Sequence, residues 1–167
     1  MKTFEYWIEK LNLQAHPEGG YFSENYRSTE TISADSLPKR YSSDRSFGTS
    51  IYFLLTLDSV SNFHRLKSDE IWHYHQGGSA IIHMISEEGN LVSQRIGVDL
   101  EAGDNLQVLI PHGTWFAAEV LSHDYILVGC TVAPGFEFED FELADRQALS
   151  SAYPQHKTLV EKFTSNG

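Results

Sequence analysis

Apolar and polar residues alternate in short runs along most of this chain, separated by Gly, Pro, Asn and Ser rather than by helical stretches. Residues 21–27, Tyr-Phe-Ser-Glu-Asn-Tyr-Arg, alternate like a strand entered from the turn His16-Pro17-Glu18-Gly19-Gly20. Further strands are predicted at 50–57, 71–75, 80–86, 91–96, 106–110, 115–120 and 125–132. With no helix-length apolar period between them, these strands predict an all-β antiparallel barrel or jelly roll and argue against a parallel βαβ sheet. The flanks differ. Phe4, Trp7, Ile8 and Leu11 fall at helical spacing and predict a short amphipathic helix over 4–13. Residues 141–146 and 147–163 read as a helical tail broken by Pro154, with Leu159, Val160 and Phe163 as its apolar face. The polar stretch 28–46 is expected to be the least ordered segment.

Composition narrows the class. A chain of 167 residues with 41% apolar content supports one core, so a single domain over 1–167 is expected, its barrel spanning 16–138. The net charge of −11, with 12 Lys and Arg dispersed among 23 Asp and Glu, argues against nucleic-acid binding and against an anionic membrane surface. Cys130 is the one cysteine, which excludes an internal disulfide and a cysteine zinc cage. No signal-peptide core or membrane-length apolar run is found, so a soluble cytoplasmic protein is expected. There is no Gly-x-Ser-x-Gly elbow, phosphate loop or dinucleotide fingerprint.

Candidate chemistry concentrates in residues 63–78, where His64, His73 and His75 accompany Asp69 and Glu70. Imidazole and carboxylate are the groups that bind divalent metals and move protons near neutral pH. Strand alternation puts Glu70, Trp72 and Tyr74 on one face and Ile71, His73 and His75 on the other, provided no bulge intervenes. A carboxylate facing a barrel interior is costly unless paired or working, so Glu70 is the strongest single candidate. His73 and His75 read better as packing or subunit-interface residues. His16, His83, His112, His123 and His156 are scattered and read as structural or exposed, and Cys130 as a small buried residue. Aromatic residues around the strands, including Tyr21, Phe22, Trp72, Tyr74, Trp115 and Phe116, suit a cavity that grips a sugar ring or another flat organic molecule.

Two segments carry a family resemblance. His64, Glu70 and Gly77, followed by the turn Pro111-His112-Gly113, resemble the two motifs of the cupin superfamily, although Leu66 and Phe116 stand where that superfamily usually has further histidine ligands. Residues 16–22, 67–73, 111–116 and 129–138 are similar to the corresponding stretches of a cupin subfamily classed as a domain of unknown function. The resemblance implies a double-stranded β-helix, a homodimer, and a small molecule held in the barrel. Residues 19–26 also resemble the opening of the sugar-nucleotide 3,5-epimerases, metal-independent barrels that use a histidine base and a tyrosine acid. That likeness casts His64 as base, Tyr74 or Tyr21 as acid and Glu70 as a further polar centre, with Trp72, Trp115, Phe116, Phe22, Glu24 and Thr114 against a sugar or sugar-nucleotide ligand. A non-catalytic binding or storage cupin is the alternative. A metal-dependent cupin is a third, with His64, Glu70, His73 and His75 as its candidate ligands and a divalent metal as its cofactor.

Overall fold

The alternating runs become two facing sheets in the computed structural model, which describes residues 2–165. The principal strands are β1 (Tyr21–Arg27), β2 (Thr49–Thr56), β3 (Val60–Arg65), β4 (Asp69–Gly77), β5 (Ala80–Ile85), β6 (Leu91–Ile96), β7 (Gln107–Ile110), β8 (Trp115–Val120) and β9 (Tyr125–Ala133). One sheet runs β1-β2-β9-β4-β7 and the other β6-β5-β8-β3, and two-residue strands at Gln14–Ala15, Asp104–Asn105 and Glu142–Leu143 extend their edges. The principal strands pair antiparallel, the arrangement of a jelly roll. The inward side chains of both sheets, among them Phe53, Leu55, Trp72, Ile82, Val108, Phe116, Ile126 and Val128, form the core between them.

Strand β3 was not apparent in the alternation, because Asn62, His64 and Arg65 break it. Its register against β8 slips between the pairs Phe116↔His64 and Ala118↔Ser61. That bulge lets Ser61 and His64 both face the interior although they are three residues apart, while Phe63 turns outward. Phe63 there meets Ile85, Trp115, Leu149, Val160 and Phe163, so the tail covers the outer face of this sheet.

Helix α1 (Phe4–Lys10) lays Phe4, Trp7, Ile8 and Leu11 on the outer face of the other sheet, against Leu54, Tyr125 and Leu127. The tail begins later than its polarity suggested. Glu142–Leu143 pairs with β3, and α2 (Arg146–Ala152) starts where the Asp145 carboxylate accepts from the Ala148 N–H. Pro154 then opens a 3-10 turn that leads into α3 (Lys157–Lys162). The 28–46 segment has more structure than its composition implied: Thr31–Ile32 pairs with Arg45–Ser46, and the buried Arg45 guanidinium donates to both carboxylate oxygens of Asp140 at 2.7 and 2.6 Å. Among the described residues no helix is long and apolar enough to cross a membrane.

If the tail belongs to the folding unit of the barrel, Phe163→Ala will cost about 3 kcal/mol or more in urea unfolding, as the loss of a fully buried phenyl ring does elsewhere. A cost below about 1 kcal/mol would mean that the tail only decorates the barrel.

Candidate functional site

The two sheets part at one end of the barrel to leave a cavity of about 90 Å³, closed by the turn at 16–20 and the segment 134–141. Glycine makes the first of these closures. Gly19 has φ 111°, and a Cβ there would collide with the Val60 carbonyl, so the turn lies directly on β3. The Asn62 backbone N–H and side-chain amide both donate to the Glu18 carbonyl, at 2.8 and 3.0 Å, which fixes the Glu18 side chain over the cavity.

Glu18 meets His64 there. The His64 Nε2 lies 2.9 Å from one Glu18 oxygen, and Ser61 Oγ donates to the other at 2.8 Å. His64 Nδ1 faces the Asn62 carbonyl at 2.7 Å, so both ring nitrogens confront acceptors and the ring is an imidazolium. Burial is the largest single influence and works against that charge, but the Glu18 carboxylate, with the Asn62 carbonyl and the Glu70 charge beside it, holds the ring above the usual imidazole range. Burial likewise opposes ionisation of Glu18, and His64, through charge and hydrogen bond, nonetheless keeps it below the usual carboxylate range.

Glu70 enters from β4. Its Oε1 accepts from the Trp72 indole N–H at 3.0 Å, and Cys130 lines the cavity with it. Burial, and then the nearby Glu18 charge, push this carboxyl up to about 7, with His64 pulling it back only in part. Cys130 is pushed well above the ordinary thiol range by burial and by both carboxylates, and so stays a thiol. His16 is held below the usual imidazole range by burial, against the pull of Glu18. Its Nδ1 accepts the Glu18 backbone N–H at 3.2 Å, which leaves the proton of the neutral ring on Nε2, and among the described residues nothing accepts it.

Phenyl and indole rings complete the cavity: Phe22, Phe53, Trp72, Phe136, Phe138 and Phe141 line it. At its mouth Arg27 donates to both oxygens of Glu24 at 2.9 Å, to Glu137 at 2.7 Å and to the Phe136 carbonyl at 2.9 Å. Every nitrogen of that guanidinium is thereby engaged.

Of the residues singled out in sequence, His64, Glu70, Trp72, Phe22 and Glu24 converge on this cavity. Phe116 stands behind it, its ring 4.0 Å from that of His64. The others lie elsewhere for reasons of alternation. Tyr74 faces inward farther along β4 and donates to the Gly77 carbonyl at 2.8 Å, and Tyr21 points the opposite way from Phe22, into the α1 side. Trp115 faces the tail with the Arg65 guanidinium over its ring, and Thr114 lies in a surface groove beside Pro111 and Val92. Neither tyrosine is in position to act as the acid, and His64, with both nitrogens occupied, is not in position to act as the base.

A metal does not fit. His73 bonds Thr131 Oγ1 at 2.8 Å on the outer face of β4, and His75, beside Tyr52, occupies a bulge on the same side. His64 has no free lone pair, and among the described residues no three His, Cys, Asp or Glu side chains converge as a metal requires. His16, Glu18 and Arg27 are the functional candidates that sequence reading missed. The available signal was a carboxylate set between Pro17 and two glycines, a turn that has to pack closely on something.

The comparisons with known proteins agree with this architecture. The model of the cupin superfamily family DUF985 matches residues 5–144. An uncharacterised protein of Saccharomyces cerevisiae is 32% identical over 143 residues, 80% of this chain and 71% of its own length. The crystal structure of a Shewanella oneidensis protein superposes with a TM-score of 0.90 at 41% identity over the whole of both chains. A hypothetical protein from Leishmania major gives 0.90 at 34% identity over 99% of this chain and 100% of its own. Oxalate decarboxylase from Bacillus subtilis, at 14% identity and a TM-score of 0.56 over 92% of this chain and 37% of its own, shares the fold alone.

Because the folded Glu70 binds its proton up to about 7 against 4.5 for an ordinary carboxyl, the native state holds more protons than the unfolded one between those values. Stability conferred by that proton falls as pH rises through this window. Glu70→Gln should therefore leave stability unchanged near pH 4 and raise it at pH 8, by up to about 3 kcal/mol in urea titrations. Equal destabilisation at both pH values would show that the carboxyl is a structural hydrogen-bond partner and nothing more.

Proposed function

The chain belongs to the DUF985 family of the cupin superfamily, and we propose that its barrel cavity takes a small organic molecule and moves a proton on it, with Glu70 giving and taking that proton. One observation carries the reading: a carboxyl lining the cavity has a proton affinity near neutrality while the adjacent imidazolium is committed to Glu18. A group with pKa close to the working pH is populated in both forms, as general acid–base catalysis requires.

The reaction class that suits these groups is isomerisation beside a carbonyl. Ionised Glu70 takes the proton from the carbon that bears a hydroxyl, the C–H electrons form a double bond to the carbonyl carbon, and the carbonyl π pair moves onto its oxygen, which accepts a hydrogen bond from the His16 Nε2–H. The hydroxyl proton passes to that oxygen, the other oxygen becomes the new carbonyl, and Glu70 returns its proton to the former carbonyl carbon. A single carboxyl suffices for a transfer between adjacent carbons on one face. Inversion at one carbon with a tyrosine on the far side has no support here, since Tyr74 and Tyr21 lie away from the cavity. A sugar nucleotide is disfavoured on charge and on size: Arg27 and His64, the cations of the lining, are both paired, and a cavity of about 90 Å³ is small for a diphosphate. A passive binding cupin would share the pocket but would have no use for a proton that leaves near pH 7.

Hydrogen exchange tests this without knowledge of the product. In D₂O, a panel of small hydroxy ketones, aldoses, ketoses and amino ketones is followed by proton NMR. At least one member should lose its α-proton signal faster with the protein, and Glu70→Gln should slow that loss about 100-fold or more. Ligands that bind without exchange, or exchange that survives in Glu70→Gln, would turn the reading to a binding module or to another base.

A further inference from the structure

When Glu70 is ionised, the charges lining the cavity do not cancel. Glu18 and Glu70 are its buried carboxylates, and Glu18 takes the buried cation His64 through the 2.9 Å contact. Glu70 is left with one neutral side-chain donor, the Trp72 N–H at 3.0 Å. The mouth repeats the imbalance, with Glu24 and Glu137 around the single guanidinium of Arg27. A buried carboxylate without a countercharge is costly, and an ion of opposite sign brought in by a ligand removes that cost. The walls match such an ion, because the π faces of Phe and Trp attract cations. The net charge of −11 adds a field that favours positive ligands and repels negative ones.

We infer that the ligand of this cavity carries an organic ammonium group, seated against Glu70 with its carbon skeleton on the aromatic walls. The inference rests on the cavity being the site proposed above and names its substrate class, a small amino ketone. The volume of about 90 Å³ is smaller than the roughly 150 Å³ cavity that accepts a benzene ring, so the skeleton has about five heavy atoms. A bound ammonium favours the ionised form of Glu70, the form that removes a proton from carbon. The titratable groups facing Glu70 are Glu18, His64 and Cys130, and His16, Arg27, Glu24 and Glu137 lie farther along the same lining.

Three probes of one shape and different charge test it by calorimetry: isobutylammonium, isobutanol and isobutyrate. The wild-type protein should bind isobutylammonium at least about tenfold more tightly than isobutanol, and isobutyrate not measurably. Ammonium affinity should rise by up to about tenfold from pH 6 to pH 8, with protons released on binding in buffers of different ionisation heat. Glu70→Gln should abolish that pH dependence, and proton release by the wild type decides the question should the variant fail to fold. Equal or tighter binding of isobutanol, proton uptake, or absence of ammonium binding overturns the inference. Ammonium binding without hydrogen exchange in D₂O leaves it standing and removes the proton-transfer reading. Exchange on uncharged ketones with no preference for amines does the reverse.

Discussion

The 2.9 Å contact between Glu18 and His64 sets the charge state of the groups around the cavity. One carboxylate and one imidazolium, both buried, satisfy each other, and each holds the other charged against the cost of burial. The consequence reaches Glu70, which shares the space, feels the Glu18 charge and receives only part of the attraction of His64. A carboxyl that would ordinarily be ionised thus keeps its proton up to about 7. Had His64 turned its Nε2 to Glu70 instead, the roles of the two carboxylates would be exchanged.

The fold sets up that pairing and places Glu70 beside it by three backbone devices. Gly19 lets the 16–20 turn lie on β3 where a side chain would collide. The bulge in β3 brings His64 to the same face as Ser61, and the two approach Glu18 together. Regular alternation along β4 carries Glu70 and Trp72 inward side by side, so that the indole N–H can reach the carboxyl. None of these devices needs a ligand to form. The cavity is therefore organised before anything enters it, the condition under which fixed charges and dipoles act most strongly on a bound molecule.

The sequence was most legible where a simple period operates. The alternation of β4 put Glu70 and Trp72 on one face and His73 and His75 on the other, the cupin likeness turned the first of these inward, and the bulge at His75 comes too late in the strand to disturb it. It was least legible where irregular backbone places the chemistry. Glu18 sits in a turn, His64 in a strand whose polar residues hide it, and their meeting depends on a register slip that no periodicity records. Family likeness supplied the barrel but assigned roles by position. It therefore gave His64 a base's function, although both its nitrogens are occupied, and it gave Trp115 a cavity wall although the neighbouring Phe116 faces inward in its place. Polarity misled in the 28–46 segment as well, since the guanidinium of Arg45 is buried against Asp140.

Carbon-13 NMR of the glutamate side-chain carboxyls across pH 4 to 9, with Glu70 identified through Glu70→Gln, bears most directly on this account. The account predicts a Glu70 midpoint near 7, with Glu18 titrating below the ordinary carboxylate range. A Glu70 midpoint near 4.5, the ordinary value, would contradict it, because the Glu18–His64 pair would then leave no carboxyl poised at neutrality.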